Sequence, residues 1–350
     1  MLSRAVVRQG ARQLHRRTFT SNEGALSSPP SKLGTRTLGF IGLGKIGSGM
    51  VGNLAKAGAT MVVYDQDAAA LASVAKTVGA VRARSIADIA RQADVVFTAL
   101  PDDDVLRVVT GELLVPLAGR GPGALHISCS TVAPATSREL AEAHLAQGVG
   151  FVSAPVFARP DGMRRGEATI PISGQQQAKD RASSLLSCTA SSVHDFGEDA
   201  GAANVVKLGG NFLIASAIEA LAEAAALAES HGVDRERFVG LMSSTIFDCL
   251  IYRGYGHRVA ARDHFPYADA HFALDLGSKD VALVQQAAHE KRCPMPLGSL
   301  LRDRFLAAQH AGRGKLDWSA LALKASEDAG SVEVGPAVKE LCAELRQQAL

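Results

Sequence analysis

Gly39-Phe40-Ile41-Gly42-Leu43-Gly44-Lys45-Ile46-Gly47 carries a G-x-G-x-x-G pattern where an apolar segment, 38–43, gives way to helical periodicity, 47–58. In that setting each glycine has a physical task. Gly42 permits a tight turn out of a strand, Gly44 lets the backbone approach a pyrophosphate, and Gly47 lets helix and strand pack closely. The free N–H groups at the start of the helix then face the phosphates, so Gly42, Leu43, Gly44, Lys45, Ile46 and Gly47 are expected to bind a dinucleotide. A second apolar segment, 60–65, ends in Asp65, 18 residues beyond Gly47. That is near the spacing of about 20 for a carboxylate that accepts hydrogen bonds from both ribose hydroxyls. Such a carboxylate repels a 2′-phosphate, so NAD is expected over NADP.

Working outward, apolar strand candidates recur at 94–100, 124–128, 151–156 and 169–173, separated by helical patterns. Strands alternating with helices predict a doubly wound parallel sheet, a Rossmann-type domain over 36–197. Beyond 197 strand signals vanish. One long Ala-rich helix is expected over 200–229, then helices at 235–243, 273–290, 296–311, 319–326 and 336–348. An all-helical domain over 198–348 is the expectation, with the site in the cleft between the two. No internal repeat is visible.

The first 30 residues read differently. Arg4, Arg8, Arg12 and Arg16 recur every four residues, Arg17 follows, and no acid occurs before Glu23. This is the composition of a mitochondrial transit peptide, with Ser27-Ser28-Pro29-Pro30 as linker, and it predicts a matrix location. The chain's formal charge of +2 depends on those arginines, and the remainder is weakly acidic. A weakly acidic body gives no electrostatic reason to expect nucleic acid. No unbroken apolar run approaches the roughly 20 residues of a membrane span; the richest, 215–227, is interrupted by Glu219 and Glu223. The 5 cysteines are scattered without a Cys-x-x-Cys, and the 10 histidines form no helical pair. Neither a disulfide framework nor a metal site is expected.

Lys207 stands out within the long helix. It is the sole charged residue between Asp199 and Glu219, and no carboxylate lies within four positions of it. An amine on an apolar helix face, with no local ion pair to explain it, suits a proton shuttle, because burial disfavours the ammonium and lowers its pKa. Asn211, one turn on, shares its face and can position a substrate oxygen.

At this point the chain resembles the β-hydroxyacid dehydrogenases, the group of 3-hydroxyisobutyrate dehydrogenase, distantly related to 6-phosphogluconate dehydrogenase. The resemblance rests on Gly39 to Gly47, Leu100-Pro101, Ser130-Thr131-x-x-Pro134, Lys207-x-x-x-Asn211 after Gly197 and Gly201, Lys279-Asp280, and Gly314 to Ala320. It implies that Lys207 is the general acid/base and that Ser130 and Asn211 bind substrate. It also implies that Leu100, Pro101, Val105 and Thr131 border the nicotinamide and its ribose, and that Lys279 reaches over the cofactor. The implied reaction passes hydride between NAD and a small 3-hydroxy acid or its semialdehyde. A homodimer or homotetramer is implied too, with Gly209 and Gly210 suited to helix–helix contact. One departure stands out. The family's substrate loop usually reads Asp-Ala-Pro-Val-Ser-Gly-Gly, whereas this chain reads Ser153-Ala154-Pro155-Val156-Phe157-Ala158-Arg159-Pro160. Phe157 and Arg159 are therefore substrate-binding candidates. Either Arg159 supplies a charged carboxylate anchor, or a bulkier substrate contacts Phe157, or Arg159 is a solvated loop charge. Imine or aldehyde reduction on the same scaffold, and a non-catalytic NAD-binding interaction protein, remain alternative functions.

Overall fold

The computed structural model describes residues 33, 34, 36–264 and 270–331. The Arg-rich leader and the helix expected at 336–348 lie outside them. The chain begins β1 (Thr37–Ile41), α1 (Lys45–Lys56), β2 (Thr60–Tyr64), α2 (Ala68–Val78), β3 (Val81–Arg82), α3 (Ile86–Gln92), β4 (Val95–Thr98) and α4 (Asp103–Ala118). It continues through β5 (Leu125–Ser128), α5 (Pro134–Ala146), β6 (Gly150–Ser153), α6 (Pro160–Arg165), β7 (Ala168–Gly174), α7 (Gln176–Leu186) and β8 (Ala190–Asp195). The strands form one sheet in the order β3-β2-β1-β4-β5-β6-β7-β8. Every pairing is parallel except β6 with β7, which is antiparallel. The expected sheet is thus present, extended by an inverted pair. β3 and β8 give little sequence signal because they sit at the edges: β3 is exposed, and only Val193 of β8 is fully buried. The central strands are apolar because helices cover both faces, with Leu38, Phe40 and Ile127 in one buried cluster and Ile41, Val62 and Val96 in another.

After β8 the described chain is helical: α8 (Ala202–Ser230), α9 (Arg235–Ser244), α10 (Leu250–Ala261), α11 (Leu274–Glu290), α12 (Pro296–His310), a 3-10 turn at Trp318–Leu321, and α13 (Ala322–Asp328). By length and composition α8 is apolar enough to cross a membrane. Here it is the spine of the helical core, packing Ala215, Ile218 and Ala222 against Val281, Phe305 and Trp318. Glu219, which interrupts its apolar run, is buried against Arg304 at 2.6 Å. α10 had no clear signature in the sequence. Its Gly254 and Gly256 look like breakers, yet both are close-approach positions, and a Cβ at Gly256 would lie 2.6 Å from Ser243 Oγ.

Beneath the sheet lies a buried pair of imidazoles. His144 Nδ1 is 2.6 Å from the Leu140 carbonyl, which only accepts, so Nδ1 carries the proton. His144 Nε2 then accepts from His126 Nδ1 at 3.0 Å, and His126 Nε2 accepts from the Thr98 hydroxyl at 2.9 Å. Burial keeps both rings neutral: His126 falls well below the usual value, and His144 is lowered from 6.5 to about 4. The folded pKa is depressed, so this stability is complete above the unfolded value near 6.5 and is lost as pH falls toward about 4. We predict that thermal unfolding midpoints fall across that window. His144→Leu should unfold at lower temperature at pH 8 yet decline less steeply on acidification. An unchanged decline would remove the pair as its cause.

Candidate active site

The strand order reverses between β1 and β4, and a crevice opens beyond the carboxyl ends of those strands, where open sheets of this type bind ligands. Gly42 makes the turn out of β1 at φ +93°, and a Cβ there would stand 2.3 Å from the Ala99 carbonyl that follows β4. At Gly47 a Cβ would stand 2.0 Å from the Gly42 carbonyl. Gly44, by contrast, has nothing within 4 Å of its Cβ position and opens onto the crevice at the start of α1. This bare helix start, with no acid in its first turn, fits a diphosphate. At the end of β2, Asp65 accepts from the Leu43 amide at 2.6 Å and the Asp67 amide at 2.8 Å. The carboxylate is thereby fixed beside the glycine turn, at the rim of the crevice.

The crevice has a volume of about 1290 Å³ and runs from the glycine turn to the helical region. Every site residue expected from the sequence borders it except Leu43. The Leu43 side chain is buried in the sheet core, and its amide donates to Asp65 at the crevice rim. Ser130 is also buried, and its hydroxyl oxygen accepts from the Leu100 amide at 2.9 Å, joining the ends of β4 and β5. Lys45 reaches across the crevice mouth to the Ala270 carbonyl.

Lys207 is buried on α8 facing the crevice. Its Nζ donates to Asn211 Oδ1 at 3.0 Å and sits 4.3 Å from the centre of the Phe157 ring. Asn211 Nδ2 donates in turn to Asp280 Oδ2 at 2.5 Å. A carboxylate only accepts, so Asp280 fixes the amide with its oxygen toward the amine. Lys279 pairs with Asp280 Oδ1 at 3.0 Å and donates to the Thr131 carbonyl at 2.6 Å, bridging the two halves of the molecule. Burial lowers the Lys207 pKa from 10.5 to about 8; Asp280 opposes the shift and Lys279 adds to it.

Asp280 was legible only as half of a dipeptide motif. Its pairing with Asn211, 69 residues away, had no local signal. Gly210 has a role within the chain that the sequence did not signal: a Cβ there would stand 2.5 Å from the Phe157 ring, so this glycine seats the ring.

Because Gly44 has open space where Gly42 and Gly47 do not, Gly44→Val should fold with an unchanged melting temperature and lose NADH affinity by roughly 100-fold, the cost of blocking a phosphate's backbone contacts. Fluorescence titration with NADH measures this, and wild-type affinity would remove the turn from the cofactor site.

Residues 37–197 match the family described as the NAD binding domain of 6-phosphogluconate dehydrogenase. Residues 201–325 match that described as NAD-binding of NADP-dependent 3-hydroxyisobutyrate dehydrogenase. An uncharacterised oxidoreductase of Bacillus subtilis is 35% identical, the alignment covering 81% of this chain and 98% of the relative. The 3-sulfolactaldehyde reductase of Escherichia coli is 31% identical over 84% of this chain and 97% of its own. Among solved structures, Mycobacterium tuberculosis 3-hydroxyisobutyrate dehydrogenase with L-serine superposes with a TM-score of 0.73 at 27% identity, covering 83% of this chain and 99% of that one. With the glycine turn, the crevice and the buried lysine in place, the chain belongs to the β-hydroxyacid dehydrogenase family of NAD-binding oxidoreductases.

Proposed function

We propose that this protein oxidises a small β-hydroxy acid, or reduces the corresponding semialdehyde, with Lys207 as general acid and base. The observation that carries the reading is the amine's position: buried, facing the crevice, bonded to one neutral amide and to no carboxylate among the described residues. The bound nicotinamide would supply the hydride acceptor or donor. In the oxidative direction neutral Lys207 takes the hydroxyl proton. In the reductive direction its ammonium protonates the nascent alkoxide. A pKa of about 8 makes both forms accessible near neutrality. Asn211 holds the amine and, through its tie to Asp280, does not turn away when substrate enters. Ser130, whose oxygen accepts from the Leu100 amide, would offer its hydroxyl proton to a substrate oxygen. Leu100, Pro101, Val105 and Thr131 would border the nicotinamide and its ribose. Asp65 would take the adenosine ribose hydroxyls and favour NAD over NADP. The Arg-rich leader supports a mitochondrial address, and exposed Leu213, Leu297 and Leu300 on α8 and α12 support self-association.

The base must be unprotonated for oxidation. Its kcat/KM should therefore rise with pH and level off above about 8, while that of reduction falls over the same range. Lys207→Ala should lose roughly 10²- to 10⁴-fold in turnover while binding NADH normally. Near-wild-type turnover in that variant would reject the assignment. Asp65→Ser should narrow the ratio of kcat/KM for NAD over NADP, and an unaltered ratio would take Asp65 out of the ribose site.

A further inference from the structure

The loop leaving β6 runs extended at Phe157, which exchanges backbone hydrogen bonds with Thr169 of β7 at 2.9 and 3.0 Å. Alternate residues of an extended run point the same way, and Phe157 and Arg159 both reach the helical region. Phe157 lies on Gly210 of α8. Arg159 lies on Gly254 of α10, its guanidinium nitrogens 3.2 Å from where a Cβ would stand. Arg258 is one turn along the same face of α10 and is buried. Neither guanidinium has a hydrogen-bond or ion-pair partner among the described residues. Arg258 is buried and Arg159 half-buried, and buried arginines are ordinarily paired. Arg159, Tyr255 and His271 border one end of the crevice, and Arg258 acts electrostatically on the same Tyr255 and His271 from behind that wall. Among the described residues, the nearby carboxylates Asp161 and Asp317 have partners of their own, and Asp161 also feels the charge of Arg159 without a hydrogen bond to it. Asp161 pairs with Arg165 at 3.3 Å, and Asp317 accepts from the Ser319 hydroxyl at 2.7 Å and its amide at 3.1 Å. The adjoining crevice wall carries Ile214, Leu250 and Ile251.

Resting on Lys207 as the acid/base, we propose that Arg159, backed by Arg258, anchors the anionic group of the substrate, and that the substrate carries an apolar body against Phe157 and Ile251. The ligand chemistry is a hydroxylated carboxylate, sulfonate or phosphonate larger than a three-carbon acid. A guanidinium grips any of these anions through two parallel N–H donors. The loop that departs from the family thus exchanges a small neutral cradle for a charged anchor and an aromatic floor, and Gly254 and Gly210 supply the room.

The test is calorimetry on the full chain loaded with NADH. Probes are 3-hydroxy-2-phenylpropanoate, 3-hydroxypropionate and neutral 2-phenylethanol, with the sulfonate and phosphonate analogues of 3-hydroxypropionate as further arms. The phenyl acid should bind at least tenfold more tightly than 3-hydroxypropionate. Arg159→Gln should weaken it by roughly 10- to 100-fold, the cost of losing a charge-assisted pair. Arg258→Gln should weaken it less, and Arg159→Lys should recover part of the loss. Binding of 2-phenylethanol should not change in Arg159→Gln, which also shows that the variant is folded. The anion with the largest dependence on Arg159 names the group. Unaltered acid binding in Arg159→Gln overturns the anchor, and equal affinity for the two acids overturns the apolar body. Binding of no acid at all overturns both. Acid binding that depends on Arg159 without turnover in the wild type upholds the anchor and defeats only the hydroxyacid oxidation on which it rests.

Discussion

Keeping an amine in the protein interior without a carboxylate against it is the constraint around which this molecule is arranged. A lowering of the Lys207 pKa from 10.5 to about 8 corresponds to a few kcal/mol, on the order of 3, against the charged form. A carboxylate in direct contact would cancel that shift and hold the ammonium permanently. Asn211 stands between instead. It accepts one hydrogen bond from the amine and passes the charge of Asp280 on at one remove. Asp280 is itself buried, and Lys279 neutralises it from the side nearer the sheet. The series Lys207, Asn211, Asp280, Lys279 and the Thr131 carbonyl is thus a graded arrangement, charged at its far end and weakly held at the buried amine.

The sheet supplies the other half of the geometry. Closure of β1 onto β4 at the switch point needs two positions without side chains, Gly42 and Gly47, because backbone carbonyls occupy the space a Cβ would take. The glycine between them meets nothing, and that difference separates packing from ligand approach within one motif. Asp65 ties the end of β2 to the same turn through the Leu43 amide. Hydrogen bonds within the protein thus fix the acid beside the turn and the helix start, the kind of preorganisation that a phosphate site on backbone amides requires.

Those features were legible because they are local. A glycine pattern at a strand–helix junction, an acid at the end of the next strand, and a lone lysine in an apolar helix each carry their meaning within a few turns of chain. The misses are non-local or at edges. β8 pairs on one side only and exposes most of its side chains, so no apolar run marks it. α10 hid behind Gly254 and Gly256, whose bare Cα atoms answer to Arg159 and Ser243 on other elements. Within the glycine motif, the Leu43 side chain obeys hydrophobic burial and turns into the core, which motif spacing alone does not reveal.

Phe157 and Gly210, and likewise Arg159 and Gly254, show how the crevice wall is shaped by residues other than the buried amine and the glycine turn. In each pair a large side chain on the loop after β6 meets a residue with no side chain on a helix, which supplies the room it fills. Interiors tolerate exchanges that conserve total volume far better than net overpacking. The amine senses the exchange through the Phe157 ring beneath it, a polarisable face that accommodates ammonium without fixing it as a carboxylate would. The loop residue that shapes the pocket therefore also lies against the lysine, so what the pocket admits and what surrounds the amine meet at one aromatic ring.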